Sequence, residues 1–138
     1  MFQAFAKARV LPFSQPRKIL IIDDEADIRE VAAIALQVIA GWRVSEASSG
    51  AEGVTVARDQ KPDAILLDAQ MPEMDGPATL RVLRADAELS AIPVLFLTAK
   101  VQNADRKTLS GIGAAAILSK PFDPLTLAHQ IASALGWS

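Results

Sequence analysis

The sequence predicts an α/β domain organised as a (βα)5 unit: a doubly wound, parallel, five-stranded sheet with helices on both faces. Three observations carry this reading. Five short apolar runs recur at intervals of about 20 to 30 residues, and four of them are continuous rather than alternating, as in strands covered on both sides. Helical periodicities occupy the intervals between them. The length of 138 residues suits one domain, for which about 100 to 150 residues is usual.

The elements follow in order. Residues 19–22 form the first apolar run. Ile28, Val31, Ala32, Ala35, Leu36 and Ile39 then repeat with helical spacing before a Gly41 stop. The second run, 43–47, is the one that mixes polar and apolar residues. Val54 and Ala57 mark a shorter helix, 64–67 the third run, Leu80 and Leu83 another short helix, and 93–97 and 115–118 the last two runs. Asp123 and Pro124 read as an N-cap and first-position pair opening a final helix through Leu127, Ile131 and Leu135. Alternation of strand and helix implies parallel neighbours joined by right-handed crossovers, and ligands of such sheets bind beyond the carboxyl ends of the strands.

Residues 1–16 stand apart as an N-terminal arm, leaving 17–138 as the folded unit. The arm is bounded by Pro12 and Pro16 and holds Phe2, Phe5 and Phe13, three of the five phenylalanines. It reads either as a short amphipathic helix docked on the body or a partner, or as an irregular terminus, the usual state of ends that are not tied down.

Composition removes whole classes of function. Apolar residues make up 51% and charged residues 22%, values of a folding chain rather than a disordered one. Without cysteine there is no disulfide, no thiolate zinc site and no thiol nucleophile. His129 is the only histidine; it lies in the last helix, where a lone imidazole reads as a surface residue, and it argues against a catalytic triad or a multi-histidine metal site. The net charge is −2, but Lys7, Arg9, Arg17 and Lys18 are the only charges before residue 19, so the remainder carries −6. An acidic body argues against direct nucleic-acid binding through phosphate neutralisation. No apolar stretch approaches the roughly 20 residues that span a bilayer, and the first 18 residues lack the apolar core of a secretory signal, so a cytoplasmic protein is expected. At this length no separate output domain is expected either.

The carboxyl ends of the runs bring together Asp23, Asp24 and Glu25, then Asp68, Thr98 and Lys120. Crowded carboxylates repel unless a cation neutralises them. Oxygen donors without histidine or cysteine select a hard ion, and Mg²⁺ commonly takes one or two carboxylates and completes its shell with waters and phosphate oxygens. A phosphoryl ligand is therefore expected, with Lys120 neutralising one of its oxygens and Thr98 donating to another. A carboxylate can itself serve as the nucleophile, and Asp68, ending the central run, is best placed.

The stretches ILIIDDE at 19–25, PDAILLDAQMPEMDG at 62–76, PVLFLTA at 93–99 and GAAAILSKPF at 113–122 give the chain a resemblance to the receiver domains of two-component response regulators, the single-domain CheY-like kind with a flavodoxin-like fold. It covers about residues 17 to 136, with separations of 44, 30 and 22 positions between Asp24, Asp68, Thr98 and Lys120. The resemblance implies that Asp68 is the phosphoacceptor and Asp24 a direct Mg²⁺ ligand. It makes Asp23 a ligand through water, and the backbone carbonyl of Gln70 the remaining protein ligand. Thr98 would be the switch hydroxyl and Lys120 its ion-pair partner, with a cis bond from Lys120 to Pro121. Met71, Pro72, Asp75 and Gly76 would shape the loop after the phosphoacceptor. Gln70 and Lys100 would flank the path of the water that removes the phosphoryl group. Ile117, preceded by Ala114, Ala115 and Ala116, stands where the family commonly has an aromatic switch residue.

The resemblance thus implies a stand-alone receiver in a phosphorelay rather than a turnover enzyme. Its phosphoryl donor would be a phosphohistidine on a histidine kinase or histidine phosphotransfer protein. Its output would be contact with a downstream protein, without direct nucleic-acid binding or membrane insertion. It would be a monomer or a weak dimer through the face formed by the fifth strand and the helices on either side of it. Three alternatives stand beside it. A haloacid-dehalogenase-like phosphatase needs an Asp-x-Asp motif, whereas Ala69 and Gln70 follow Asp68. A non-phosphorylated pseudo-receiver would lack one of Asp24, Asp68 and Lys120. The chain can also be a receiver cut from a longer regulator or hybrid kinase.

Overall fold

The computed structural model describes residues 13–99, 107, 109 and 111–138. In chain order the elements are β1 (Lys18–Ile22), α1 (Ala26–Ala40), β2 (Arg43–Ala47), α2 (Gly50–Gln60), β3 (Ala64–Asp68), α3 (Gly76–Ala85), β4 (Val94–Thr98), β5 (Ala116–Ser119) and α4 (Leu127–Leu135). Lys107, Leu109 and Gly111, between β4 and β5, also have helical backbone. All strand pairs are parallel, in the order β2-β1-β3-β4-β5. This is the doubly wound sheet that the apolar runs predict.

Successive side chains of a strand point to opposite faces, which explains why the inner runs are continuously apolar. Ile19, Ile21, Leu66, Leu95 and Leu97 pack on one face with Ala32, Leu36 and Ala40 of α1 and Leu127 and Ile131 of α4. Leu20, Ile22, Ile65, Leu67, Val94 and Phe96 pack on the other with Val54 and Ala57 of α2 and Leu80 and Leu83 of α3. Every residue of β3 and β4 is buried. The mixed run 43–47 becomes the edge strand β2, only partly covered; the continuous run 115–118 departs from expectation, because it forms the other edge strand, β5, which pairs with β4 alone and is only half-buried.

Helix ends follow local chemistry. Gly41 closes α1 with φ 72°, a left-handed conformation that glycine adopts without steric cost. The Ser49 side chain accepts from Glu52 N at the start of α2, and Asp75 accepts from Ala78 N at the start of α3. The final helix departs from expectation. Asp123 does cap a turn, accepting from Leu125 N at 2.9 Å, but regular helix begins only at Leu127. The intervening turn is held by Thr126 N and Leu127 N donating to the Asp123 carbonyl.

Of the arm expected at 1–16, residues 1–12 lie outside the described residues. Phe13 packs against the Trp42 ring at 5.0 Å and His129 at 5.1 Å between centroids. Ser14 donates from N and Oγ to the Ser138 carbonyl at 3.1 and 3.0 Å. Among the described residues, no helix is long and apolar enough to cross a membrane.

Candidate functional site

Four strand ends build one rim. Asp68 is the last residue of β3 and Thr98 the last of β4, Asp23 follows β1 directly, and Lys120 follows β5 directly. Backbone bonds extend the sheet register into the rim: Asp23 N donates to Ala47 O, Ala69 N to Leu97 O, and Lys120 N to Thr98 O, at 3.1, 3.1 and 2.9 Å. The parallel sheet therefore delivers these side chains to one place, although up to 97 positions separate them in sequence.

Lys120 is the electrostatic hub. Its Nζ lies 2.9 Å from Asp23 Oδ2, 3.4 Å from Asp68 Oδ1 and 3.8 Å from Glu25 Oε1. Asp23, Asp68 and Thr98 are buried, whereas Asp24 and Glu25 are exposed. Asp68 Oδ1 also accepts from Gln70 N at 3.1 Å, and Asp23 Oδ1 from Glu25 N at 2.9 Å. Burial pushes the Asp68 carboxyl up to about 6; the Gln70 N–H opposes that, the Asp23 charge adds to it, and Lys120 counters. Burial alone would lower the Lys120 ammonium, but the hydrogen bond to Asp23 and the charges of Asp23, Asp68 and Glu25 outweigh it and raise its pKa.

The donor set suits a hard divalent cation. Carboxylate oxygens of Asp23, Asp24 and Glu25 lie within 4.8 Å of one another. Among the described residues, these carboxylates together with Asp68 outnumber the Lys120 ammonium that they face at the rim, an excess of negative charge that a cation would relieve. Asp23 already uses one oxygen for Glu25 N and the other for Lys120, while Asp24 is open to solvent.

The other expected residues take varied positions. The Gln70 side chain is exposed and its backbone N–H serves Asp68. Ile117 of β5 lies beside Phe96 in register and is half-buried against the second core cluster. Lys100 lies outside the described residues. The bond from Lys120 to Pro121 is cis, as expected. Met71 is buried, Pro72 is exposed and Asp75 caps α3. Gly76 has a steric reason: a Cβ there would lie 2.6 Å from the Asp68 carbonyl oxygen and 2.7 Å from Ala69 Cα, so only glycine lets α3 start against the strand end that carries Asp68.

Arg29 was not singled out by the sequence. Its Nη1 donates to the Asp23 carbonyl at 2.8 Å and its Nε lies 3.3 Å from Glu46 Oε1, so it ties the acidic loop to the edge strand. The available signal was a base in the first turn of the helix that follows the acidic triplet.

Comparisons with known proteins agree with this geometry. A family model described as the response regulator receiver domain matches residues 19–132. The probable transcriptional regulator ycf27 of Pyropia yezoensis is 38% identical over 122 residues, 88% of this chain and 49% of that protein. Protein PilH of Pseudomonas aeruginosa is 39% identical over 119 residues, 86% of this chain and 97% of that one. The chain spans about half the length of the transcriptional regulators it matches. Among solved structures, the chemotaxis protein CheY4 of Vibrio cholerae superposes with a TM-score of 0.81 at 30% identity, over 87% of this chain and 99% of that one.

Proposed function

Because this chain belongs to the response regulator receiver domain family, we propose that it accepts a phosphoryl group on Asp68 from a phosphohistidine of a histidine kinase or histidine phosphotransfer protein. The observation that carries the assignment is the position of Asp68: buried at the end of the central strand, 3.4 Å from Lys120 Nζ, beside the acidic cluster.

In the transfer an Asp68 carboxylate oxygen attacks phosphorus while the bond from phosphorus to the donor imidazole breaks. The electron pair leaves on that nitrogen, which takes up a proton. Asp68 must be ionised to attack, and with its carboxyl near 6 most of it is ionised at neutral pH. Asp24, Asp68 and the Gln70 carbonyl would hold Mg²⁺, with Asp23 acting through water. The ion supplies positive charge to the phosphoryl oxygens and so lowers the cost of bringing them beside carboxylates. Lys120, already paired with Asp23 and Asp68, neutralises a phosphoryl oxygen, and the Thr98 hydroxyl donates to another. Phosphorylation then changes contacts on the face formed by β5 and its flanking helices, where Ile117 replaces the usual aromatic side chain and a weak dimer or downstream protein binds. On this reading the chain is a phosphoacceptor in the cytoplasm rather than a turnover enzyme, and its output is protein contact.

Incubation with acetyl phosphate and Mg²⁺, followed by intact mass, tests the reading. A gain of one phosphoryl group is expected in the native chain and none in Asp68→Asn. Full labelling of that variant would remove Asp68 as the acceptor.

A further inference from the structure

We propose that Arg29 is a positioning residue for the divalent cation: it braces the turn between β1 and α1 that presents Asp23, Asp24 and Glu25, and so sets how tightly the rim holds Mg²⁺. The inference rests on the assignment of Mg²⁺ to the rim and adds to it a residue that acts through Asp23 rather than by touching the ion.

The turn needs a brace. Carboxylates within 4.8 Å of one another repel, and the backbone that carries them must resist that repulsion. The usual local support is missing among the described residues: Glu25 stands at the N-cap of α1 but makes no side-chain cap hydrogen bond, whereas Ser49 and Asp75 cap α2 and α3. The Glu25 carboxylate instead faces Lys120, 3.8 Å away. Arg29, one turn further along the helix, reaches back over the gap. Its Nη1 donates to the Asp23 carbonyl at 2.8 Å, and its Nε lies 3.3 Å from Glu46 Oε1 on β2. The Asp23 N–H donates to the carbonyl of Ala47, the next residue of β2. Both backbone polar groups of Asp23 are therefore anchored at the carboxyl end of β2, one directly and the other through the guanidinium. Its carboxylate is held as well, with Oδ1 accepting from Glu25 N and Oδ2 beside Lys120 Nζ, each at 2.9 Å.

A planar fork suits this task, because two of its nitrogens serve two acceptors at once, which a lysine ammonium on a flexible stem does not reproduce. The Arg29 side chain is 19% exposed, so water competes little for these contacts. Charge and geometry act in opposite directions here. A guanidinium beside the cluster repels a cation, so if Arg29 acted through its field, its loss would tighten Mg²⁺ binding. If it acts by holding the turn, its loss weakens binding, since partners that orient metal ligands commonly contribute about 10–100-fold to affinity.

The wild-type chain, Arg29→Gln and Arg29→Lys are melted by circular dichroism over a series of Mg²⁺ concentrations without phosphodonor, so that stability in EDTA and Mg²⁺ affinity come from the same data. Both variants are expected to need about tenfold more Mg²⁺ than the wild type for the same rise in Tm, Arg29→Lys included although it keeps the charge. Arg29→Lys alone decides the matter if Arg29→Gln does not fold cooperatively. Tighter binding by Arg29→Gln, with Arg29→Lys unchanged, would overturn the proposal in favour of a field effect. A lower Tm in EDTA with the wild-type Mg²⁺ response retained in both variants would reduce Arg29 to a stabilising residue and overturn the proposal alone. A wild-type chain whose Tm ignores Mg²⁺ would instead remove the metal assignment itself, and this inference with it.

Discussion

Replacing Asp68 by asparagine should stabilise the apo protein at neutral pH, a direction opposite to that of most substitutions at buried polar positions. The Asp68 carboxyl is raised from 3.8 to about 6, chiefly by burial and with a contribution from Asp23. An acid whose pKa is higher folded than unfolded binds its proton more tightly when folded, so ionising it costs folding free energy. The wild-type chain is therefore least penalised below about pH 4, loses stability as pH rises from about 4 to about 6, and is flat above that. At 1.36 kcal/mol per pKa unit the full penalty is about 3 kcal/mol, and screening at a water-facing rim reduces it to roughly 1–3 kcal/mol. For a chain of this size each kcal/mol moves Tm by about 3–5 °C. Asp68→Asn retains nearly the same volume and leaves the Lys120 to Asp23 pair at 2.9 Å intact. Circular dichroism melts in EDTA at pH 7.5 should show the variant melting several degrees higher, and the gap should close by about pH 4. A variant that melts lower at pH 7.5, or an offset independent of pH, would refute burial of a strained carboxylate at this position.

Three further outcomes are expected. Mg²⁺ should raise the Tm of the wild-type chain, because a ligand that binds only the folded state stabilises it, and Asp24→Asn should lose most of that response in the same melts. Gly76→Ala forces a methyl group within 2.8 Å of the Asp68 carbonyl, Ala69 Cα and Phe96 Cε1; two of the three neighbours are backbone and cannot swing away, so urea titration should show a loss near the upper end of the usual overpacking range, about 3 kcal/mol. Gln70→Ala and Lys100→Ala should each change the decay rate of phosphorylated Asp68 several-fold while leaving the extent of labelling under excess phosphodonor similar, and an unchanged rate in the double variant would show that neither side chain gates the attacking water.

What was legible in the sequence, and what was not, follows from how far each interaction reaches. A strand buried on both faces must be apolar at every position, so β1, β3 and β4 announce themselves locally; the mixed run of β2 fits its edge position, but β5, the other edge, is just as continuously apolar while only half-buried, so composition alone does not separate edge from centre. The rim was legible for the same reason: Asp68 and Thr98 are the polar residues that interrupt such runs, and a parallel sheet places all carboxyl ends together. The pairing inside the rim was not. Nothing in the sequence makes Lys120 approach Asp23 more closely than Asp68, because that choice depends on where β5 ends relative to β1, with two strands between them in the sheet. Arg29 was missed for a related reason. Its value lies in the turn after β1 presenting the Asp23 carbonyl to the first turn of α1 while Glu46 approaches from β2, and neither partner lies at a helical spacing from it. Phe13 shows the same limit. It reads as part of a detached arm, yet it joins a cluster with Trp42 and His129, contributed by the turn after α1 and the first turn of α4. That cluster exists only once the two helices have packed side by side on one face of the sheet. Local periodicity therefore identifies the elements and the rim they create, whereas tertiary packing decides which charge meets which and where the N-terminal arm begins.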